Sequence, residues 1–240
     1  MNNQTCSRLV PAHGAVMFAM TLLVGCGCAA LDSAVAYTFQ TPHTFCSKHN
    51  CSDGKAPGAN LMVGTSGIIY STTSGGGAYG DGAVFALTFD SGTNSWAERV
   101  VYSFCSVADC PDGEAPYGGL IQDVAGNLYG MTQFGGVSLQ AGTVFELIPN
   151  AKGTKWKQKI LYRFCSKSSC ADGSQPVGSL TYQGAASGLP YDGSSPLYGA
   201  TEAGGADNQG VLFRLSIPTG KSKRRESVMY DFCSEGGSCR

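Results

Sequence analysis

The stretch Gly126-Asn127-Leu128-Tyr129-Gly130-Met131-Thr132, followed by Gly135-Gly136 and then Gly142-Thr143-Val144-Phe145-Glu146-Leu147, occurs three times with variation. One copy runs from Tyr70 through Thr73, Gly76-Gly77 and Gly82 to Val84-Phe85 and Leu87. Another runs from Leu197-Tyr198-Gly199 through Thr201, Gly204-Gly205 and Gly210 to Leu212-Phe213 and Leu215. Tyrosine to threonine is three residues in each copy, and tyrosine to the second paired glycine is seven. Units of this size are blades or solenoid coils that share a core with their neighbours, so the chain is not free to divide into unrelated domains.

Within the second unit, four short strands are predicted. They are Gly119–Gln122, Leu128–Thr132, Thr143–Leu147 and Lys157–Phe164, the last with Ile160, Tyr162 and Phe164 alternating. Asparagine and glycine at the turns supply positive φ. Four antiparallel strands at this period describe a β-propeller blade. A β-solenoid competes, but its coils are shorter and lack the four-strand division. The 34 glycines, without a period of three, agree with an all-β protein rich in tight turns.

Eight cysteines fall in local pairs: Cys46/Cys51, Cys105/Cys110, Cys165/Cys170 and Cys233/Cys239. Each pair follows a phenylalanine (Phe45, Phe104, Phe164, Phe232). The first three are followed by Asp53-Gly54, Asp112-Gly113 and Asp172-Gly173, then by Pro57, Pro116 and Pro176. One disulfide per loop is the simplest reading. Such a small ring removes about 2 kcal/mol of chain entropy, enough to stiffen a connection. Zinc is disfavoured because histidines (His43 and His49) accompany only the first pair, and C-x-x-C redox spacing is absent.

Three further cysteines, Cys6, Cys26 and Cys28, lie near the N-terminus. There Arg8 precedes an apolar run through Leu22-Leu23-Val24, and Ala34-Val35-Ala36 offers an A-x-A cleavage site. Residues 1–36 are therefore expected to be a signal peptide. A retained membrane helix is the bland alternative, disfavoured by a short run interrupted by Gly25 and Gly27. The sharper alternative is a lipobox, Leu23-Val24-Gly25-Cys26, with Cys26 lipidated. Cleavage after Ala36 leaves eight paired cysteines, whereas cleavage before Cys26 leaves Cys28 odd. A secreted or periplasmic protein is thus expected, with a membrane-anchored lipoprotein as the alternative.

Residues 37–240 then form one repeat domain, with units at about 46–104, 105–164 and 165–232 and the start of a fourth at 233–240. The third unit is lengthened by an insertion around Ala185 to Pro196. Outer-type strands number four, at Tyr37–Phe45, Val100–Phe104, Ile160–Phe164 and Val228–Phe232, against three sets of inner strands. The expected architecture is three four-stranded blades plus an extra terminal strand, an incomplete propeller. Closed propellers use about four to eight blades, and three leave open edges. A truncated chain, a homodimer forming a six-bladed ring through those edges, or closure by an end strand would each account for the count. Truncation is the favoured of the three.

Asp53, Asp112 and Asp172 are candidate ligand positions on one face, for calcium or a polar group. Asp-Gly turn chemistry is the plainer reading, because a binding site rarely needs every copy. Thr73, Thr132 and Thr201 are expected to cap strands or link blades. Lys221, Lys223, Arg224 and Arg225 read as a solvated basic hairpin of the third unit, with contact to an anionic surface or polysaccharide as the alternative. Net charge is −1, so no global field draws nucleic acid. No catalytic triad, metal-ligand spacing or phosphate loop stands out, and no cofactor or metal is expected. The glycine pairs precede strands, which removes a dinucleotide-binding reading.

The Gly-Gly pair, Val-Phe and a tryptophan 11 residues later (Phe85/Trp96, Phe145/Trp156) resemble a kelch blade; Arg224 stands at that place in the third unit. From Pro42 to Cys239 the sequence more closely resembles the GloVer tandem-repeat proteins, exported bacterial proteins built on Leu-Tyr-Gly-x-Thr…Gly-Gly…Gly-Thr-Val-Phe-x-Leu. That resemblance implies an extracytoplasmic repeat protein with varied anchoring and transfers no catalytic residue. The expected function is a non-enzymatic exported scaffold binding a polysaccharide or surface protein. The rival is an extracytoplasmic glycan hydrolase or lyase, which needs inward carboxylates unique to one blade; Glu146 and Glu202 are its candidates.

Overall fold

Period-two alternation and glycine turns build three antiparallel sheets in succession. The computed structural model describes residues 39–58, 60–216 and 224–234. Residues 1–36, with Cys26, and the Lys221, Lys223 and Cys239 positions lie outside them. In the first sheet, β1 (Lys55–Pro57) and β2 (Met62–Val63) both pair with β3 (Ile69–Gly75), followed by β4 (Ala83–Asp90) and β5 (Ser95–Ser103). The second runs β6 (Ile121–Gln122), β7 (Leu128–Thr132), β8 (Thr143–Pro149) and β9 (Trp156–Arg163). The third runs β10 (Ser174–Tyr182), β11 (Leu197–Ala203), β12 (Val211–Ser216) and β13 (Arg225–Asp231). These are propeller-like blades that do not close a ring. Each carries the same register shift in its third strand, at Val84/Phe85, Val144/Phe145 and Leu212/Phe213.

The first strand of each blade is irregular. It is split into β1 and β2, reduced to a Glu114–Phe134 bridge plus β6, and bulged between Val177 and Thr181 in β10. Pro57, Pro116 and Pro176 fall in these stretches. A proline cannot donate to a ladder, so it is tolerated at such an edge. Pro116 and Pro176 each lean on the preceding blade, where an added Cβ on Gly82 or Gly142 would fall 2.5 and 2.3 Å from the proline Cδ. These glycines are thus fixed twice over, by a φ near +90° and by the approach of the next blade.

The cores lie between blades. Phe104, closing the first blade, packs on Phe145 of the second at 5.1 Å between centroids; Phe164 packs on Phe213 of the third at 4.9 Å. Leu120, Leu128 and Leu147 complete one cluster, and Leu180, Leu197 and Leu215 the other. A fully buried leucine or phenylalanine contributes roughly 1.5–3 kcal/mol by area. The outer strand expected over Tyr37–Phe45 is absent from the described part, 39–45, which is turn and irregular chain. Phe45 nevertheless fills the equivalent place, 4.7 Å from Phe85. On the last blade Phe232, the counterpart of Phe104 and Phe164, is 38% exposed, and Leu212, the counterpart of the buried Val84 and Val144, is 40% exposed, because no described blade follows.

Candidate functional site: a cleft between the second and third blades

The Cys–Asp loops are one clasp used three times. Disulfides join Cys46–Cys51, Cys105–Cys110 and Cys165–Cys170. Cys233 is also disulfide-bonded. Asp172 Oδ2 accepts bonds from Ser166 N–H (3.0 Å), Ser166 Oγ (2.7 Å) and Tyr162 Oη (2.7 Å), and Oδ1 accepts one from Lys167 N–H (3.2 Å). Asp112 takes Ser106 and Tyr102 in the same way. At Asp53, Ser47 repeats the pattern and His43 Nε2, 3.1 Å away, replaces the tyrosine. Burial alone would raise the pKa of Asp53 and Asp172. Hydrogen bonds from serine, backbone N–H and, for Asp172, tyrosine win, holding both below the ordinary carboxylate range.

The clasp also reaches the following blade. Tyr102 Oη meets Gln158 Oε1 at 3.2 Å, and Tyr162 Oη meets Glu226 Oε2 at 3.5 Å. Glu98 and Glu226, with side chains 2% and 0% exposed, are paired with Lys48 and Lys167 at 2.9 and 2.8 Å. Where the second blade has neutral Gln158, the loop residue is Val107 instead of lysine. Buried charge and compensating charge therefore change together. Beneath each loop sits the repeated threonine: a Cβ on Gly54, Gly113 or Gly173 would meet Thr73, Thr132 or Thr201 at 2.5–2.7 Å. Thr132 and Thr201 join the second and third strands of their own blade, through Thr143 and Val211, and do not link blades. Asp53 and Asp172 accept through both oxygens, whereas the contacts of Asp112 all fall on Oδ2 and its buried Oδ1 has no partner.

Unit-specific chemistry gathers elsewhere. Across the second blade, Tyr129 of β7 lies opposite Glu146 of β8, which lies opposite Lys159 of β9. The same row reads Tyr70–Ala86–Arg99 in the first blade and Tyr198–Arg214–Ser227 in the third. Tyr129 Oη lies 2.9 Å from Asp123 Oδ2 and 3.2 Å from Glu146 Oε1, and Lys159 Nζ holds Glu146 Oε2 at 2.9 Å. Burial, then these carboxylates, push the Tyr129 hydroxyl well above its ordinary pKa. Asp123 Oδ1 is taken by the N–H groups of Ala125 and Asn127, both at 2.9 Å.

The insertion of the third unit forms one wall. Tyr191 N–H donates to Gln122 O at 3.1 Å, and Val124 N–H donates to Tyr191 O at 3.1 Å, adding Tyr191 alongside Asp123 of the second blade. Its fully buried ring packs between Tyr129 and Tyr182. Arg224, expected in a solvated hairpin, turns inward: Nη2 donates to Tyr191 Oη (2.6 Å) and Gly193 O (2.9 Å), and Nη1 donates to Ser195 O (3.2 Å). At the equivalent position Trp156 packs on Tyr70 of the blade before it. Glu146, Lys159, Tyr162, Arg163, Gly193 and Arg224 line the resulting cleft of about 640 Å³.

Of the candidates read from sequence, Glu146 and Arg224 reach this cleft. Glu202 accepts a bond from Gln133 Nε2 at 3.2 Å and is exposed away from it. Asp53, Asp112 and Asp172 stay in their clasps. Asp123, Lys159 and Tyr191 carry no candidate role in the sequence. The signals for them were the longer third unit and the loss of tryptophan at position 224. Asp81, Cys105 and Cys110 place ligand-type atoms within 4.8 Å of one another, but both sulfurs are in a disulfide.

A family model described as the Gloeobacter/Verrucomicrobia repeat matches residues 30–240. None of the curated proteins compared with the sequence matches it.

Proposed function

For a chain that belongs to the Gloeobacter/Verrucomicrobia repeat family, we propose an exported, non-enzymatic scaffold that binds a polysaccharide in the cleft between its second and third blades. The observation that carries this reading is that Glu146, Arg163, Gly193 and Arg224, which the other units do not repeat, meet in one cleft on blades otherwise alike. Its volume of about 640 Å³ lies within the usual range for ligand sites. Export is supported by the three disulfides, which persist in oxidising compartments. No helix among the described residues is long and apolar enough to cross a membrane.

A hydrolase or lyase is the second reading, because Asp123 and Glu146 approach one tyrosine hydroxyl and glycosidases use paired carboxylates. Both carboxylates are, however, committed to internal partners. A glycan array combined with a hydrolysis screen on the purified protein separates the readings. Binding without product release is expected, and released product would overturn the scaffold.

A further inference from the structure

We propose that the polysaccharide held in this cleft is an acidic one, recognised through sugar carboxylates of the uronic-acid type. The inference rests on the cleft being the binding site. The repeat supplies its own control. An equivalent cleft of about 330 Å³ lies beside the last strand of the first blade, lined by Ala78, Tyr79, Tyr102, Ser103 and Ser106 among others, with no charged side chain. In the second blade the corresponding positions are Val137, Ser138, Tyr162, Arg163 and Ser166, and the lining also includes Lys159 and Arg224. Lys159 has a cationic counterpart in Arg99, whereas Arg163 and Arg224 replace Ser103 and Trp156 and bring added charge to the second cleft.

Three cations and one carboxylate, Glu146, line the second cleft, a lining charge of +2, with the Asp172 carboxylate behind Tyr162 and Ser166. The cations differ in availability. Arg224 is spent on carbonyls and Tyr191, so it holds the wall in place. Lys159 has a side chain 56% exposed and one of its three donors on Glu146. Arg163 gives one bond, from Nη2 to Pro111 O at 3.1 Å, and keeps other guanidinium donors. These two side chains supply an ammonium and a planar fork for a carboxylate; Tyr162 and Ser166 beside them donate to Asp172, which leaves their oxygens as acceptors for sugar hydroxyls. Glu146, 2.9 Å from the ammonium, opposes groups of higher charge such as phosphate dianions.

The test titrates the whole purified protein with polygalacturonate, with a neutral dextran and with inorganic phosphate. Polygalacturonate is expected to bind best, and its binding to weaken with salt. Arg163→Ser, which copies the first blade's Ser103, is expected to weaken polygalacturonate about tenfold or more. Its melting temperature should stay near that of the parent, since Ser103 serves the same place in a folded blade. Lys159→Arg, which retains the charge beside Glu146, should keep the preference. Equal binding of dextran and polygalacturonate, or an unchanged Arg163→Ser, would overturn the acidic assignment while leaving the scaffold reading intact. Tighter binding of phosphate would also overturn it. Turnover of polygalacturonate would sink the scaffold reading instead, and absence of binding to any of these and to the array would sink both.

Discussion

Lys167→Val is expected to destabilise the protein by about 2–3 kcal/mol, and adding Glu226→Gln is expected to restore most of the loss. Lys167 Nζ pairs with Glu226 at 2.8 Å, and the glutamate side chain is 0% exposed. Removing the lysine strands a buried carboxylate, for which losses of roughly 3–5 kcal/mol are usual. The lysine is itself 50% exposed, so water recovers part of that cost. The second blade already contains the compensated pair, Val107 with Gln158. There Gln158 Nε2 donates to Asp112 O at 2.7 Å and Oε1 accepts from Tyr102. In the double variant a glutamine at 226 should donate to Asp172 O and accept from Tyr162 in the same way. Denaturant unfolding of the parent, both single variants and the double variant gives the coupling energy directly. A double variant as unstable as Lys167→Val would show that the two junctions are not interchangeable.

Asp172→Ala should cost about 3–5 kcal/mol, because it removes the acceptor for four donors around a fully buried carboxylate. The same group makes stability depend on acid. Its folded pKa lies below the ordinary value, so its contribution is complete above the unfolded pKa of about 3.9. That contribution is lost as pH falls from there toward the folded value. Asp53 acts in the same direction. The melting temperature of the parent should therefore drop as pH falls below about 4. Asp172→Asn, already weakened at neutral pH, should show a shallower drop over the same range. Parallel curves would place the acid sensitivity elsewhere.

How much of this could be read in advance follows from which features are repeated. Tyrosine, threonine and glycine at fixed spacing gave the second and third strands, and the alternation of Ile160, Tyr162 and Phe164 gave the fourth. The Asp-Gly pairs announced turns, and the structure adds the reason for glycine, a threonine side chain underneath. The segment before Phe45 failed as a strand: its described part lacks strand structure, although the phenylalanine keeps its packing role. The cleft was mostly invisible because its parts have no copies and meet across long separations. Arg224 and Tyr191 are 33 residues apart. Glu146 stood out as a carboxylate unique to one blade, but its link through Tyr129 to Asp123 depends on a turn whose effect no spacing rule encodes. The Lys–Glu and Val–Gln exchange, by contrast, is written in the sequence at equivalent positions of the units.

The division between a repeated clasp that holds blades together and a single cleft that binds is tested most directly by calorimetric titration. The glycan retained on the array would be titrated into the parent, Arg224→Ala and Asp112→Asn. Arg224→Ala releases the cleft wall at Tyr191, Gly193 and Ser195 and should lose binding at least tenfold. Asp112→Asn should lower the melting temperature and leave the dissociation constant unchanged. Lost binding in Asp112→Asn at a temperature where it is fully folded, with Arg224→Ala binding like the parent, would contradict the assignment of binding to the cleft.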